Sequence, residues 1–410
     1  MKFKSSYVLS IDQGTTSSRA ILFDQTGNII FHKSKEIKQY YPQIGWVEQS
    51  PEDIWKSVLY VLKKAINFAN KDNIEISAIG ITNQRETTLL WDKNTGFPIY
   101  NAIVWQDRRT SAFCNTLKDK NLQNLVKNKT GLLIDPYFSA SKISWILDNV
   151  RGARKKASDG DLCFGTIDSF LLWRLTGGKK HYTDITNASR TSLYNIKNHV
   201  WDKKLCNIFM VPEEILPEVK QNNAEFGITE KNIIGKSLPI LGMIGDQQSA
   251  LIGQGNTYPG SIKSTFGTGC FMITNSGDKI IKSKNKLLST IAYKLDGKVS
   301  YGLEGSIFVA GAAINWLKDS LQIVKSVKDI ESIIKKTKNN QNVYFVPALT
   351  GLGAPYWSPD AQGAIYGINR DTGPENFIRA ALESVAYQAN DLINAMISDG
   401  IKIHELKVDG

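Results

Sequence analysis

Two stretches about half a chain apart repeat one pattern: an apolar strand, a turn rich in Gly and Thr, and a second apolar strand. In the first, Val8, Leu9 and Ile11 run into the carboxylate of Asp12. The pattern breaks at Gln13, Gly14, Thr15, Thr16, Ser17, Ser18 and Arg19, then resumes as Ala20, Ile21, Leu22 and Phe23. The second runs from Ser261 to Phe266, turns at Gly267, Thr268 and Gly269, and continues from Cys270 to Thr274. Taken alone, one such hairpin reads equally as a phosphate clamp or as an ordinary polar turn. Two copies at this separation predict a duplicated fold that grips a ligand from both sides of a cleft. A turn of Gly, Thr and Ser can aim backbone N–H groups and hydroxyls at an anion, and a strand-end carboxylate such as Asp12 can hold the water shell of a Mg²⁺ ion. The first stretch lacks the glycine and lysine spacing of a P-loop and the three-glycine spacing of a dinucleotide fold, so both architectures are disfavoured.

At 410 residues the chain is long for one core, so two or three domains are expected. The 42% hydrophobic and 22% charged content is that of an ordinary globular protein. No uninterrupted apolar run approaches the roughly 18 residues of a membrane helix, and Met1 to Ser6 lacks the apolar core of a signal peptide, so a cytoplasmic protein is expected. Cys114, Cys163, Cys206 and Cys270 form no closely spaced pair, and His32, His181, His199 and His404 are scattered, which argues against a zinc site, a disulfide framework or a His-based triad. The net charge of +11 raises the question of nucleic acid. The lysines are dispersed, however, with small clusters such as Arg151 to Lys156 and no interleaved aromatics. A solvated basic surface that favours anionic nucleotides is the better reading.

Along the chain, Ser50, Pro51, Glu52 and Asp53 announce a helix: a cap, a proline and two acids. Its apolar face continues through Ala69. A strand from Ile76 to Thr82 then delivers Asn83, Gln84, Arg85 and Glu86 at its C-terminal end, where open α/β sheets bind ligands. Arg85 and Glu86 could form a surface ion pair, but adjacent charges at a strand end also suit the orientation of a polyol. Trp105 is either core or a face for a polyol's C–H groups. A strand over Leu162 to Ile167 precedes a helix capped by Asp168 and ending near Gly177 and Gly178. Pro239 to Gly245 reads as a strand ending on Asp246, Gln247 and Gln248, with a helix starting at Ser249 or nearby. There Asp246 is either an N-cap or a base for a bound hydroxyl. In the second half, Glu304 to Ser306 enters a helix over Ile307 to Leu317, whose Gly311, Ala312 and Ala313 would let a nucleotide approach closely. Residues 318 to 342, rich in Lys and Asn, read as peripheral.

Asp12-Gln13-Gly14-Thr15-Thr16-Ser17 together with Gly267-Thr268-Gly269 resembles the actin-like ATPase superfamily, and in particular its FGGY family of carbohydrate kinases. Ile134 to Ser139 followed by Lys142 to Trp145 matches the first signature of that family. Gly363 to Ile368 followed by Asn376 to Glu383 matches the second. Tyr182 to Thr191 and Phe345 to Trp357 resemble segments of its glycerol-phosphorylating members, and the first of these reads as a structural loop near the cleft. The resemblance covers essentially the whole chain.

The resemblance implies an α/β fold of two actin-like (ribonuclease H-like) domains with the active site between them, 1–255 and 256–410, the second apparently incomplete at its C-terminal end. It implies ATP and Mg²⁺ in the cleft and phosphorylation of glycerol. Carried over residue by residue, Asp246 is the general base, and Arg85, Glu86, Trp105, Tyr137, Gln247 and Phe271 join it at the glycerol. Thr15, Thr16, Ser17, Arg19, Thr268, Gly311 and Asn315 serve the nucleotide, and Asp12 holds Mg²⁺ through water. Position 315 is often Gln in the family, so Asn315 shortens that contact. A sibling kinase for a pentulose or gluconate is the first alternative, and an actin-like ATP-driven binding or filament protein the distant one. Nucleic acid and integral membrane association are not expected, and self-association is left open. Glu405 to Gly410 reads as a strand entering a Gly turn that the family continues into its adenine site. The expectation from that ending is a chain that keeps its glycerol residues, binds ATP poorly and is marginally soluble.

Overall fold

The computed structural model describes residues 6–336, 342–358 and 360–410. The chain divides into two compact units: Met1–Ser249 with Thr290–Val299, and Ala250–Ser289 with Ser300–Gly410.

The first unit is built on a six-stranded sheet in the order Gly227–Ile228, Pro239–Gly245, Ile76–Asn83, Tyr7–Gln13, Ser17–Phe23 and Ile29–Glu36. The three central strands, Pro239–Gly245, Ile76–Asn83 and Tyr7–Gln13, run parallel, whereas Ser17–Phe23 returns antiparallel from the first Gly-Thr turn. Alternation does its expected work: Leu9, Ile11, Ala20 and Leu22 are fully buried. The helix Pro51–Lys71 covers these strands, with Ser50 accepting a hydrogen bond from Asp53 N at 3.2 Å. Its apolar face includes Ile54, Val58, Val61, Leu62 and Ala65, all fully buried. Leu62→Ala is therefore expected to cost about 2–5 kcal/mol of unfolding free energy in a urea titration, as a cavity in a close-packed core. A second core in this unit gathers Ile134, Ile143 and Leu147 around Leu90 and Ile103.

The second unit carries the strands Cys270–Gly277, Ser261–Phe266 and Glu405–Asp409, side by side in that order, with residues 300–307 of the strand Lys298–Ile307 on the other side of Cys270–Gly277. Ser261–Phe266 and Cys270–Gly277 form the antiparallel hairpin around the second Gly-Thr turn, and Glu405–Asp409 runs parallel to the first of them. The helices Gly311–Asp319 and Pro374–Ser398 pack on one another within this unit.

Four expectations are corrected. The helix expected over Ile307 to Leu317 is Gly311–Asp319, because Ser306 and Ile307 remain in the sheet opposite Phe271 and Cys270. Asp168 is not a cap: Thr166 occupies that position, and Asp168 lies inside the helix Ile167–Leu175 as an acceptor for Thr166 Oγ1 at 2.5 Å and Thr183 Oγ1 at 2.7 Å. The helix expected from about Ser249 already begins at Asp246. Residues 318 to 342 are not wholly peripheral either, since Val324 and Ile330 join the core around Leu317 and Val343. Residues 337–341 of that stretch lie outside the described residues. Among the described residues, no helix is long and apolar enough to cross a membrane.

Candidate active site

Register decides where the polar side chains converge. Gln13 pairs with Asn83, and Asn83 pairs with Gly245, so three parallel strands end side by side. The segments leaving those ends are Gly14 to Thr16, Gln84 to Glu86, and Asp246 with Gln247. The strand ends are tied by amides. Gln84 N donates to Gln13 O at 2.7 Å, and Gln84 Nε2 donates to Gln49 Oε1 at 2.8 Å.

Arg85 links two of the segments. Its Nε lies 3.4 Å from Asp246 Oδ1 and 4.0 Å from Glu86 Oε1, and its Nη1 donates to Gln248 Oε1 at 3.1 Å. Arg85 and Glu86 are buried, while the Asp246 side chain is 33% exposed and so open to a small molecule. Gly245 makes the approach feasible, because a Cβ there would meet Arg85 Cγ and Cδ at 2.8 Å. Glu86 has a φ of +60°, an uncommon backbone for a residue with a side chain. Its carbonyl is held by the hydroxyls of Thr88 and Ser139.

Trp105 and Tyr137 meet edge to face, with ring centroids 5.7 Å apart. Trp105 Nε1 donates to Thr15 Oγ1 at 3.0 Å, which joins the aromatic pair to the first Gly-Thr turn. Tyr137 N donates to Asp135 Oδ1, and the buried Lys142 donates to the carbonyls of Pro136, Tyr137 and Phe138. Burial pushes the Lys142 ammonium down to about 8, with nearby carboxylates acting against the shift. Gln247 is half-buried beside Asp246, and its N–H donates to Asp246 Oδ1 at 2.7 Å.

In the first turn, Gly14 N donates to Ser17 O at 2.9 Å, while Thr16 and Arg19 are exposed. Asp12 faces Arg19 across the hairpin at 3.9 Å, a loose pairing. Burial raises its carboxyl above the usual range and the Arg19 charge acts against this. A partly exposed carboxylate raised by burial gains from a nearby cation. No group of three or more metal-ligating side chains exists among the described residues. The lone strand-end carboxylate of Asp12 is the kind of donor that Mg²⁺ takes, since that ion keeps several of its waters.

In the second unit, the turn Gly267 to Gly269 is seated on the start of the helix Gly311–Asp319. Ala310 N and Ala312 N donate to Thr268 O, and Gly311 N donates to Gly267 O at 2.9 Å. A Cβ on Gly311 would lie 2.7 Å from Gly267 O, so glycine is needed for this seat. The Gly311 N–H is thus engaged within the unit. Thr268 and Asn315 are exposed, and Phe271 is half-buried on the strand after the turn. A cavity of about 760 Å³ in this unit lies against Trp316, Phe345, Leu349 and Gln362, and none of the expected site residues lines it.

Several residues of the first unit's site were given no individual role by sequence: Gln248, Asp184, Thr186, Asn187 and Arg190. The expected loop from Tyr182 to Thr191 is instead a strand, Tyr182–Asp184, and a short buried helix, Ile185–Ala188. Thr186 Oγ1 donates to Asp184 at 2.5 Å and accepts from Gly245 N at 2.9 Å, fixing the residue before Asp246. Asn187 Nδ2 donates to Asn83 Oδ1 at 2.9 Å, fixing the strand end before Arg85. Asp184 also accepts from Asn222 Nδ2 at 2.7 Å.

Burial, then the neighbouring Asp168, pushes the Asp184 carboxyl up to about 7, and burial raises Asp168 as well. A carboxyl that keeps its proton in the fold but releases it near pH 4 when unfolded stabilises most at low pH, and that contribution is lost as pH rises through about 7. Asp184→Asn has no such proton to lose. Urea titrations at about pH 5 and about pH 7.5 are therefore expected to show a smaller fall in stability for the variant than for the parent.

The chain is similar to known proteins along nearly its whole length. Residues 7–253 match the model of the FGGY family of carbohydrate kinases, N-terminal domain, and residues 262–410 match that of the C-terminal domain. A glycerol kinase of Sinorhizobium fredii is 55% identical over 98% of this chain and 82% of its own length. One from Coxiella burnetii is 53% identical over 99% of this chain and 81% of its own. Among solved structures, Plasmodium falciparum glycerol kinase with ADP superposes with a TM-score of 0.92 at 39% identity, covering 99% of this chain and 82% of that one. A gluconate kinase from Lactobacillus acidophilus, at 22% identity and a TM-score of 0.88 over 99% of this chain and 81% of its own, shares the fold. With both halves matched by one family's models and close relatives along nearly all its length, the chain belongs to the FGGY family of carbohydrate kinases.

Proposed function

We propose that the protein transfers the terminal phosphoryl group of ATP to glycerol, giving glycerol 3-phosphate and ADP. The carrying observation is the strand-end cluster in which Arg85 Nε lies 3.4 Å from Asp246 Oδ1, with Glu86, Trp105 and Tyr137 in the same unit. A triol offers hydroxyls and short C–H faces. Arg85 and the carboxylates of Glu86 and Asp246 suit the hydroxyls, and the Trp105 indole suits the C–H face. Gln247 beside Asp246 completes the acceptor set of the first unit.

Asp246 takes the proton of a terminal hydroxyl as that oxygen bonds to the γ-phosphorus; the bond from the γ-phosphorus to the β–γ bridging oxygen breaks, and the electron pair leaves with ADP. Thr15, Thr16, Ser17 and Arg19 from the first turn and Thr268 from the second hold the phosphates, with Gly311 and Asn315 on the nucleoside side. Asp12 would hold a Mg²⁺ ion through water, and the ion would supply neutralisation of phosphate charge. The other groups act by orienting the acceptor and donor, which together with charge neutralisation is the larger part of catalysis in phosphoryl transfer. Residues 1–255 thus carry the acceptor site and the first phosphate turn, and residues 256–410 the second turn and part of the nucleotide site. A cytoplasmic location accords with this metabolic role.

A panel of acceptors tests the reading: glycerol, xylulose, ribulose and gluconate at equal concentration, with ADP formation followed by a coupled assay. Glycerol is expected to dominate. Preference for a pentulose or gluconate would move the protein to a sibling activity, and equal ADP formation without any acceptor would mark an ATPase.

A further inference from the structure

Arg190 is a fully buried guanidinium in the first unit that none of the roles above uses. Its Nε donates to Glu86 Oε1 at 2.6 Å, closer than the 4.0 Å between Glu86 and its neighbour Arg85. Its guanidinium carbon lies 5.6 Å from the ring centroid of Tyr137 and 5.2 Å from that of Phe138. One side chain thus touches both Glu86 and Tyr137, which stand on different segments. Arg190 itself is anchored by the buried segment Asp184 to Ser189. Its N–H donates to Asn187 O at 3.0 Å, and Asn187 bonds the Asp184 carboxylate and Asn83.

We propose that Arg190 is a positioning residue for the acceptor site, fixing the Glu86 carboxylate and the Tyr137 ring in the arrangement that receives the hydroxyls. This rests on the acceptor reading above and deepens it. The carboxylate has two strong acceptor atoms, and a guanidinium bound to one oxygen restricts how the other can be presented. The positive φ of Glu86 adds to the need, since a strained backbone persists only where its surroundings hold it. An arginine suits this place better than a lysine because its planar fork can donate to the carboxylate while its charge stays within cation–π range of both rings.

The test is a double-mutant cycle on the full chain with three variants, Arg190→Met, Glu86→Gln and the pair, together with Arg190→Lys. Arg190→Met is expected to raise the glycerol KM by about 10- to 100-fold, as for loss of a buried charge-assisted hydrogen bond, with the ATP KM changed less than about twofold. The double variant is expected to be no worse for glycerol than Glu86→Gln alone, since both changes act on one contact, and Arg190→Lys to recover part of the loss. Neutralising the carboxylate as well lessens the risk that the double variant fails to fold. Additive losses in the cycle, or an Arg190→Met enzyme with the parent's glycerol KM, would overturn the proposal. Crystal structures of the parent and of Arg190→Met give an arm independent of substrate. Displacement of the Glu86 carboxylate or the Tyr137 ring by about 1 Å or more is expected, and unchanged positions overturn the proposal. A parent enzyme that does not use glycerol would sink the acceptor reading instead, and the crystallographic comparison would still decide the role of Arg190.

Discussion

Turnover of glycerol by Asp246→Asn is expected to fall by about 10²- to 10⁴-fold, the range for losing a general base, while the glycerol KM rises much less. The argument is geometric. Asp246 follows the last residue of the strand Pro239–Gly245 and is the first residue of the helix Asp246–Gly253. Its Oδ1 accepts from Gln247 N and lies near Arg85 Nε, and one third of the side chain is exposed. An amide keeps the shape and much of the hydrogen bonding but has little affinity for a proton. The attacking oxygen would then have to shed its proton to water. A variant within about threefold of the parent at saturating glycerol would remove Asp246 from this role.

Arg85→Met is expected to lower kcat/KM for glycerol by about 30- to 4,000-fold, corresponding to the roughly 2–5 kcal/mol typical of deleting one member of a buried charged cluster. Arg85 stands between Glu86 and Asp246 and also donates to Gln248. Without it, Asp246 loses its neighbouring cation, and the acceptor loses a donor. Part of the loss is expected in KM and part in kcat, unlike Asp246→Asn, where kcat carries nearly all of it. Arg85→Lys keeps the charge but not the forked geometry and should fall between the two. Steady-state kinetics with glycerol varied at saturating ATP separates these patterns. Equal kcat and KM for parent and Arg85→Met would contradict the assignment.

The strands that carry the acceptor residues were legible because their signals are local. Ile76 to Thr82 and Pro239 to Gly245 are apolar runs that stop at polar residues, and the structure places strands over Ile76–Asn83 and Pro239–Gly245. The helix after Ser50 was equally plain, since cap, proline and acids lie within four residues. What sequence missed is held by partners far along the chain. Arg190 meets Glu86 across 104 positions, and Asn187 meets Asn83 across the same separation. The segment they share looked like a polar loop because its Thr, Asn and Asp side chains satisfy each other in the interior instead of facing water. The start of the helix at Gly311 was misjudged for a similar reason. Its first N–H groups are satisfied by carbonyls of Gly267 and Thr268, a cap that no residue next to the helix supplies. Asp168 had the composition of a cap, yet its oxygens are engaged by Thr166 and Thr183.

The central claim is that phosphate passes directly from ATP to glycerol at the cluster around Asp246. Phosphorus NMR of the protein with ATP and Mg²⁺, recorded with and without glycerol, tests it most directly. The account predicts ADP and glycerol 3-phosphate in equal amounts when glycerol is present, with little free phosphate, and no comparable ADP without it. ADP and free phosphate appearing at the same rate whether or not glycerol is added would contradict it.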